Sequence, residues 1–297
     1  MTHLCTTDDP ADTLEWHKII RDDQSFPVQV LPAWRPEAAM KIGSLDFVNY
    51  MKRPGNAAGV EINSFRTLKE ALKLRLAFFE EMEQIFAKAL NGKAISYEDG
   101  LKYKTAFLLF IGKEYKRLGW AMQLHYGVKR DNNQKLYRSF GPDAGVDCID
   151  NHTPSAQLAD LLNALDEEDA LSKTILYSLN PIDNAAIGSI IGCFQNSECR
   201  AKIQQGSAWW FNDNKQGMID QMTSLANLGV LGNFIGILTD SRSFISYPRH
   251  EYFRRILCNL IGGWVENGEY PEDEKRLGAL VQDICYNNTK KYFEFQQ

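Results

Sequence analysis

The sequence predicts an α/β protein in which parallel strands form a sheet covered by helices. Short apolar or β-branched stretches alternate along the chain with longer stretches of helical periodicity. Each short stretch ends in polar or charged residues. The chain has 297 residues, of which 44% are hydrophobic, enough for one large α/β domain or two small ones. In such folds the functional residues lie at the carboxyl ends of the strands, either in a (β/α)8 barrel or at the switch point of an open sheet.

Six stretches are predicted to be strands, because each is short, apolar or β-branched, and bounded by turn residues. In chain order they are Thr2–Thr7, Phe26–Leu31, Trp120–Val128, Lys173–Leu179, Ala201–Gln205 and Phe234–Leu238. The last of them is apolar throughout, as expected for a strand that is covered on both faces.

Helices are predicted where apolar residues recur at spacings of three and four. In chain order they are Leu14–Ile20, Ser64–Leu90, Ser96–Leu118, Ala156–Leu171, Asp183–Phe194, Lys215–Leu228, Arg249–Asn267 and Pro271–Phe293. Ser96 and Asp99 resemble a capping box, and Gly119 ends the helix that they open. Helices between the strands favour a parallel sheet.

Composition narrows the function and the location. A net charge of −5 and a pI near 5.6 argue against a general nucleic-acid binder. The residues Met1–Pro10 do not resemble a signal peptide, and the most apolar runs are too short to span a bilayer, so we expect a cytoplasmic protein without membrane contact.

The six cysteines show no CxxC spacing, which fits reduced thiols. Motifs for dinucleotides, nucleoside triphosphates, serine hydrolases and HExxH metalloproteases are absent.

Asp240 and Arg242 follow the last predicted strand and are two residues apart, so both can face one pocket. The carboxylate at this position can bind a divalent metal or act as a base, and the guanidinium can hold a substrate carboxylate through paired hydrogen bonds. The alternative is that Asp240 caps the next helix and Arg242 pairs with it.

Other strand ends carry further candidates. His125 is a candidate metal ligand or proton carrier, or else a packed and hydrogen-bonded residue. Arg35 lies between two prolines, and either faces the substrate or pairs with Asp8 or Asp9. Trp209 and Trp210 either form an apolar wall for a sugar ring or belong to the core. Asp240 and His125 supply two metal ligands where a catalytic site takes about three, and the chain has no HxH pair.

Several of these motifs, in this order, resemble those of the uronate (glucuronate) isomerase family. They are Thr6-Thr7-Asp8-Asp9-Pro10, Val30-Leu31-Pro32-Ala33-Trp34-Arg35-Pro36, Trp209-Trp210-Phe211-Asn212-Asp213, Leu238-Thr239-Asp240-Ser241-Arg242-Ser243-Phe244, and Arg249-His250-Glu251-Tyr252-Phe253-Arg254-Arg255-Ile256-Leu257-Cys258. The resemblance covers nearly the whole chain. It implies a metal-dependent (β/α)8 barrel of the amidohydrolase superfamily that interconverts D-glucuronate with D-fructuronate and D-galacturonate with D-tagaturonate.

The resemblance also implies roles for the candidate residues. Asp240 corresponds to the last-strand aspartate that binds a divalent metal ion, first of all zinc, and moves the proton. His125 resembles a histidine near that metal, and Arg242 and Arg35 correspond to residues that face the substrate. We expect the partner to be a small uronic acid and the protein to be a homo-oligomer.

Two departures from the family pattern qualify this resemblance. The family has a first strand with an HxH metal pair before the equivalent of Thr6, and a strand with a Ser-Asp-His motif between the equivalents of Phe79 and Met82. Neither motif is present in this sequence. We therefore expect about six of the eight barrel strands, within a single domain of residues 1–297. This domain is predicted to be incomplete at its amino terminus and near residues 79–82. Two rivals stay open: a metal-dependent hydrolase of the same superfamily, and a non-catalytic remnant of the barrel.

Overall fold

The computed structural model of the chain describes residues 3–23, 25–75, 94–152, 154–241 and 243–295. These residues belong to two compact units, residues 1–114 and 115–297. The described parts of the chain contain an α/β arrangement of short, mainly parallel sheets, and no closed barrel is found among them. The prediction of a single barrel domain over residues 1–297 stays a prediction.

The first unit contains a two-stranded parallel sheet and a group of helices. Strand β1 (His3–Cys5) pairs with β2 (Gln29–Leu31), and a bridge between Asp8 and Trp34 extends the pairing beyond both strands. The helices of this unit are α1 (Glu15–Asp22), α2 (Glu37–Met40), α3 (Phe47–Ala58), α4 (Phe65–Arg75) and α5 (Tyr97–Leu118), the last of which runs past residue 114.

Tyr103 is the centre of the first unit's core. It is fully buried, and its ring makes edge contacts with Phe47 at 6.5 Å and Phe65 at 5.5 Å between centroids. Its hydroxyl donates a hydrogen bond to the carbonyl of Ala39 at 2.8 Å, so the polar atom is satisfied inside the core. The contacts join α2, α3, α4 and α5, of which α2 and α3 were absent from the sequence prediction.

The second unit is built on three parallel strands. In chain order its elements are β3 (Met122–Tyr126), β4 (Val128–Lys129), α6 (Gln134–Phe140), β5 (Cys148–Ile149), α7 (Ser155–Asp166), β6 (Thr174–Ser178), α8 (Asn184–Cys193), β7 (Ile203–Gln205), α9 (Lys215–Leu228), α10 (Arg249–Glu266), α11 (Glu274–Gln282) and α12 (Asn288–Tyr292). Strand β6 lies between β3 and β7 in the sheet. Four of the five residues of β6 are buried, as its apolar sequence requires.

The pair β4 and β5 was not predicted. The two strands are antiparallel and enclose the short helix α6, so that the chain makes an excursion between β3 and α7. Asn133 caps α6 through a hydrogen bond from the Leu136 amide at 3.1 Å, which explains why this polar stretch is ordered without an apolar pattern.

Most predicted elements are confirmed, with shorter bounds. Five predicted strands contain β1, β2, β3, β6 and β7, and the Ser96 hydroxyl accepts the hydrogen bond from the Asp99 amide, at 3.0 Å, that the capping pattern indicates. The helix predicted at Ser64–Leu90 is present as α4, and its part beyond residue 75 lies outside the described residues. None of the described helices combines the length and the apolar character needed to cross a membrane.

The strand predicted at Phe234–Leu238 is wrong. Gly236 has a φ of +74°, far from strand values, and a Cβ there would lie 2.5 Å from the carbonyl oxygen of Ile284. The carbonyls of this stretch accept hydrogen bonds from side chains instead: Asn288 donates to Gly232 at 2.8 Å and Phe234 at 2.9 Å, and Thr289 donates to Ile235 at 2.6 Å. Side chains of α12 therefore donate the hydrogen bonds that the backbone of a neighbouring strand would supply in a sheet.

At the amino ends of the second unit's strands, Glu198 joins two lysines. Both of its carboxylate oxygens lie 2.7 Å from Lys116 Nζ, and Oε2 lies 3.1 Å from Nζ of the buried Lys202. Hydrogen bonds from Lys116 and Lys202 lower the pKa of Glu198 to about 2. The charged form of Glu198 therefore favours the folded state, and this contribution is present above the unfolded pKa and is lost as the pH falls through the folded pKa.

We expect Glu198→Gln to lower the free energy of unfolding near neutral pH by about 1 kcal/mol, a value discounted because the carboxylate is half exposed. The difference from wild type should shrink as the pH falls from about 4.5 towards about 2, because the wild-type carboxylate then becomes neutral. Urea unfolding at a series of pH values measures this. Glu272→Gln, at an exposed position, is the control, and a pH-independent difference between wild type and Glu198→Gln would contradict the assignment.

Candidate active site

The carboxyl end of the three-stranded sheet carries an aromatic pair. In the parallel register of β3 and β6, His125 is opposite Tyr177, and their rings stack at 4.4 Å with an interplanar angle of 7°. The Tyr177 hydroxyl donates to Gln123 Oε1 at 3.1 Å. Gln123 and His125 are two residues apart on one strand, so they share a face of the sheet, and Tyr177 contacts both.

Gly206 makes room for the Tyr177 ring. It follows β7, and its amide donates to the Leu176 carbonyl at 2.8 Å, which fixes the backbone beside β6. A Cβ at this position would lie 2.1 Å from Tyr177 Cδ1, closer than any side chain can approach. Burial, and then the nearby charge of Asp240, raise the pKa of the Tyr177 hydroxyl, so this group is a neutral hydrogen-bond donor at physiological pH.

Trp209 connects the aromatic pair to Asp240. Its ring lies edge-on to His125 at 4.7 Å, and its indole Nε1 donates to Asp240 Oδ2 at 2.6 Å. Trp209 is 7% exposed, whereas Asp240 is exposed to solvent. A continuous set of contacts therefore runs from Tyr177 through His125 and Trp209 to the carboxylate.

Asp240 is held in an uncommon backbone conformation. Its φ is +39°, in the left-handed region that residues with a side chain seldom adopt. Such conformations persist where neighbouring contacts hold them, and they cluster at functional sites. Here the hydrogen bond from Trp209 holds the side chain, and the carbonyl of the preceding residue, Thr239, accepts a hydrogen bond from Arg249 Nη1 at 3.0 Å.

Asp213 pairs with Arg249, the residue that donates to the Thr239 carbonyl. Its carboxylate is 6% exposed, and its Oδ2 lies 2.6 Å from Arg249 Nη1. Burial raises the pKa of Asp213, and the positive charge of Arg249 opposes that shift. In the sequence, Asp213 is only the last residue of the motif that begins at Trp209, so its pairing with Arg249 is a feature that only the structure reveals.

Trp210 lies beside Trp209, at 5.6 Å between ring centroids, and is partly exposed. Its ring stacks on Phe211 at 5.3 Å, and the guanidinium of Arg130 lies 5.2 Å from the ring centroid. Arg130 also contacts Asp147 at 2.8 Å, so its charge is paired. The two tryptophans differ in exposure, and Trp210 presents more of its surface to solvent.

Arg35 belongs to the first compact unit. Its backbone amide donates to the Asp8 carbonyl at 2.8 Å, as part of the pairing that extends β1 and β2. Its guanidinium pairs with Glu37 and is 51% exposed. The alternative that Arg35 pairs through its side chain with Asp8 or Asp9 is therefore wrong, and its role toward a substrate stays a prediction.

The predicted residues fall into three groups. His125, Trp209, Trp210 and Asp240 are brought together by direct contacts. Arg35 is in the other compact unit, and Arg242 lies outside the described residues. Tyr177 was not predicted, because it lies inside the predicted strand Lys173–Leu179, where nothing distinguishes its ring from the other core residues. Arg249 was placed at the start of a predicted helix and in one of the motifs that carry the family resemblance, without a role of its own.

A complete metal site is not formed by the described residues. Among them, no group of three or more His, Cys, Asp or Glu side chains is arranged to hold a metal ion. Asp240 and His125 have donor atoms suited to a divalent metal, and the HxH pair implied by the resemblance is absent from this sequence.

Comparison with known proteins gives one consistent result. A family model described as glucuronate isomerase matches residues 1–83 and 80–293. A uronate isomerase from Lachnoclostridium phytofermentans is 59% identical over 314 aligned residues, which cover 98% of this chain and 67% of that protein. One from Lachnospira eligens is 56% identical, over 99% of this chain and 68% of that protein.

Solved structures agree with the sequence comparisons. The crystal structure of a uronate isomerase from Thermotoga maritima matches 99% of this chain and 68% of its own, with a TM-score of 0.90 and 30% identity. The glucuronate isomerase from Caulobacter crescentus shares the fold, with a TM-score of 0.88 and 24% identity over 65% of that chain. This chain spans about two thirds of the length of these relatives.

We expect Gly206→Ala to lower the free energy of unfolding by about 1–3 kcal/mol, because the new methyl group would displace the Tyr177 ring. Thermal unfolding followed by circular dichroism measures the loss. Gly192→Ala is the matched control: a Cβ at Gly192, within α8, meets no atom within 4 Å, so alanine should stabilise that helix slightly. Equal stability of Gly206→Ala and wild type would contradict the close packing of Tyr177 on Gly206.

Proposed function

This chain belongs to the glucuronate isomerase family, and from that premise we propose that it isomerises uronic acids. The reaction is an aldose–ketose interconversion, of D-glucuronate with D-fructuronate and of D-galacturonate with D-tagaturonate. The observation that carries the proposal is the hydrogen bond of 2.6 Å from Trp209 to Asp240, which fixes a carboxylate at the end of the aromatic cluster.

The reaction sets clear requirements. A proton leaves C2 of the sugar and arrives at C1 through a cis-enediol, so the site needs a base, an oriented hydroxyl group and a group that stabilises a developing negative charge. We propose Asp240 as the base. Its Oδ2 is anchored by Trp209, while its Oδ1 makes no hydrogen bond to another described residue, so one carboxylate oxygen is positioned and the other is available for the proton.

The neighbours of Asp240 suit the remaining roles. His125 lies against Tyr177 and Trp209, where an imidazole can exchange a proton or donate a hydrogen bond to a sugar oxygen. We assign Trp209 and Trp210 to the apolar wall of the sugar site, with the more exposed Trp210 offering the larger free surface. Arg242 and Arg35 are proposed to bind the uronate carboxylate, because a guanidinium forms paired hydrogen bonds with it.

Asp240 and His125 are also the proposed contributors to a divalent metal site, with zinc the first candidate. A bound metal ion would polarise substrate oxygens and stabilise negative charge on them. Because the described residues supply only part of a ligand set, the proton transfer proposed above depends on Asp240 and its contacts and not on the metal.

We also propose that a segment found in the relatives is absent near residues 79–82. The alignment with the Lachnoclostridium protein has 314 positions, more than the 297 residues of this chain, so some positions of the relative have no counterpart here. The family match is divided into two parts that meet at residues 80–83. Both observations support the proposal, and they bear on which parts of the family's metal site this chain contains.

Catalysis by this chain has one specific rival. The incomplete ligand set favours a non-catalytic remnant that still binds a uronic acid. Intact mass and turnover of the protein purified from its own cells separate the two: a mass of 33.8 kDa without turnover of D-glucuronate would establish the remnant, whereas formation of the ketose would exclude it. Cytoplasmic location and a homo-oligomeric state stay predictions, which cell fractionation and light scattering test.

We expect Asp240→Asn to reduce conversion of D-glucuronate to D-fructuronate by about 100- to 10,000-fold, because the amide cannot accept the C2 proton. Its oxygen can still accept the hydrogen bond from Trp209, so the circular dichroism spectrum should be unchanged. The control is Asp220→Asn, at an exposed position of α9 where the carboxylate accepts from Gln216. Near-normal turnover by Asp240→Asn would show that another residue is the base.

A further inference from the structure

Arg249 joins two loops that otherwise have little regular structure. One loop follows β7 and carries Trp209, and the other leads to Asp240. Arg249 Nη1 donates to the Thr239 carbonyl at 3.0 Å and contacts Asp213 Oδ2 at 2.6 Å. A single nitrogen, with two hydrogens, thus reaches a backbone oxygen of one loop and a carboxylate of the other.

These contacts close a ring that includes Asp240. The Asp213 amide donates to the Trp210 carbonyl at 3.2 Å, which ties Asp213 to the backbone beside Trp209. Trp209 donates to Asp240, and Asp240 follows Thr239 directly. The direct contact between Leu238 N and Ser207 Oγ is long, at 3.5 Å, so the ring through Arg249 is the stronger connection of the two loops.

The position of Arg249 points to a role beyond helix formation. It is the first residue of α10, a helix of 18 residues held in the core by Phe253, Ile256, Leu257 and Ile261. A cation in the first turn of a helix is unfavourable, because the amino end of the helix is the positive end of its dipole. Arg249 is therefore electrostatically unfavourable at the start of this helix. Its backbone is nevertheless fixed by the helix, which positions its side chain to contact both loops.

Asp213 supports the same conclusion from the other side. Its side chain is 6% exposed, and a carboxylate that is removed from water needs a charged or hydrogen-bonding partner. Its Oδ1 has no hydrogen-bond partner among the described residues, so Arg249 Nη1 is its charged contact there. Breaking the pair of Arg249 and Asp213 would leave a buried carboxylate without a charged partner. Breaking the exposed pair of Arg255 and Glu251 on the same helix would cost little.

We propose that Arg249 is a positioning residue for the isomerisation: by bridging Thr239 and Asp213, it holds the Asp240 loop against the Trp209 loop and so places the carboxylate of Asp240. Arg249 does not touch the substrate in this role. The inference rests on the proposed function only where it speaks of isomerisation, because the placement of Asp240 by Arg249 is a property of the protein without substrate.

The placement is tested through the indole proton of Trp209. The full chain has six tryptophans, so a proton–nitrogen spectrum of protein labelled at tryptophan contains up to six indole signals, and Trp209→Phe identifies the one of interest. An indole that donates to a carboxylate at 2.6 Å should give a downfield signal that exchanges slowly with water. We expect Arg249→Gln to move this signal upfield and to speed its exchange about tenfold or more.

Three variants complete the experiment. Arg249→Lys keeps the charge and has three donors, enough for both contacts, and should retain most of the wild-type signal. Asp213→Asn removes the charge that holds the guanidinium, and should shift the signal in the same direction as Arg249→Gln. Arg255→Gln removes an exposed arginine of the same helix, and should leave the signal unchanged. If Arg249→Gln does not fold, Arg249→Lys and Asp213→Asn decide the question.

A merely structural role gives a different result. If Arg249→Gln lowers the melting temperature while the position and exchange of the Trp209 signal stay at wild-type values, the proposal is overturned. The same holds if Asp213→Asn leaves the Trp209 signal unchanged.

Turnover gives an independent measure. We expect Arg249→Gln to lower kcat about 10- to 100-fold, because a base displaced by a fraction of an ångström is poorly aligned, while KM stays within about twofold. A large rise in KM with unchanged kcat would show that Arg249 binds the substrate, and would overturn the positioning role. If the wild-type protein converts no uronate, the proposed function fails, and the indole signals still decide the role of Arg249.

Discussion

The site depends on the parallel register of β3, β6 and β7. Because all three strands run in one direction, their carboxyl ends meet at one edge of the sheet, and the register places His125 opposite Tyr177. This register is essential to the site, since a slip of one residue between β3 and β6 would no longer place His125 opposite Tyr177. The stack of the two rings, the contact of Trp209 with His125 and the hydrogen bond to Asp240 all follow from that alignment.

Beyond the strands, the site is held by side chains rather than by a backbone ladder. The loops that carry Trp209 and Asp240 are joined by an indole, a guanidinium and a buried carboxylate. Hydrogen bonds of this kind depend on the identity of each residue, whereas a strand ladder forms with almost any sequence. The exposed Asp240 therefore gains a defined position from partners that are themselves buried or anchored in a helix. This is the arrangement that the proposed base needs if the proton is to move between two adjacent carbons.

The sequence predicted the strand ends well, and for a physical reason. Polar residues near the end of a short apolar run mark a strand end, and this pattern located His125 at the end of β3 and the two tryptophans after β7. Asp240 was selected by the same pattern, although the stretch before it is not a strand. Tyr177 was missed because its buried ring is indistinguishable from the apolar residues around it. Helix α3 was missed because it contains Pro54 and Gly55, which ordinarily argue against a helix interior. The strand at Phe234–Leu238 was wrong because Gly236 has a positive φ and because Asn288 and Thr289 hold the carbonyls of this stretch, contacts that local patterns do not contain.

The hydrogen bonds from α12 to the stretch before Asp240 limit which substitutions this helix can accept. Asn288 and Thr289 hold the carbonyls of the stretch that leads to Asp240, although they stand near the end of the chain. Hydrogen bonds between the backbones of two strands do not depend on which side chains the strands carry. The hydrogen bonds here come from the side-chain amide of Asn288 and the hydroxyl of Thr289, so they require these residue types. Replacement of Asn288 or Thr289 would therefore remove hydrogen bonds from the stretch that leads to Asp240, even though neither residue belongs to that stretch.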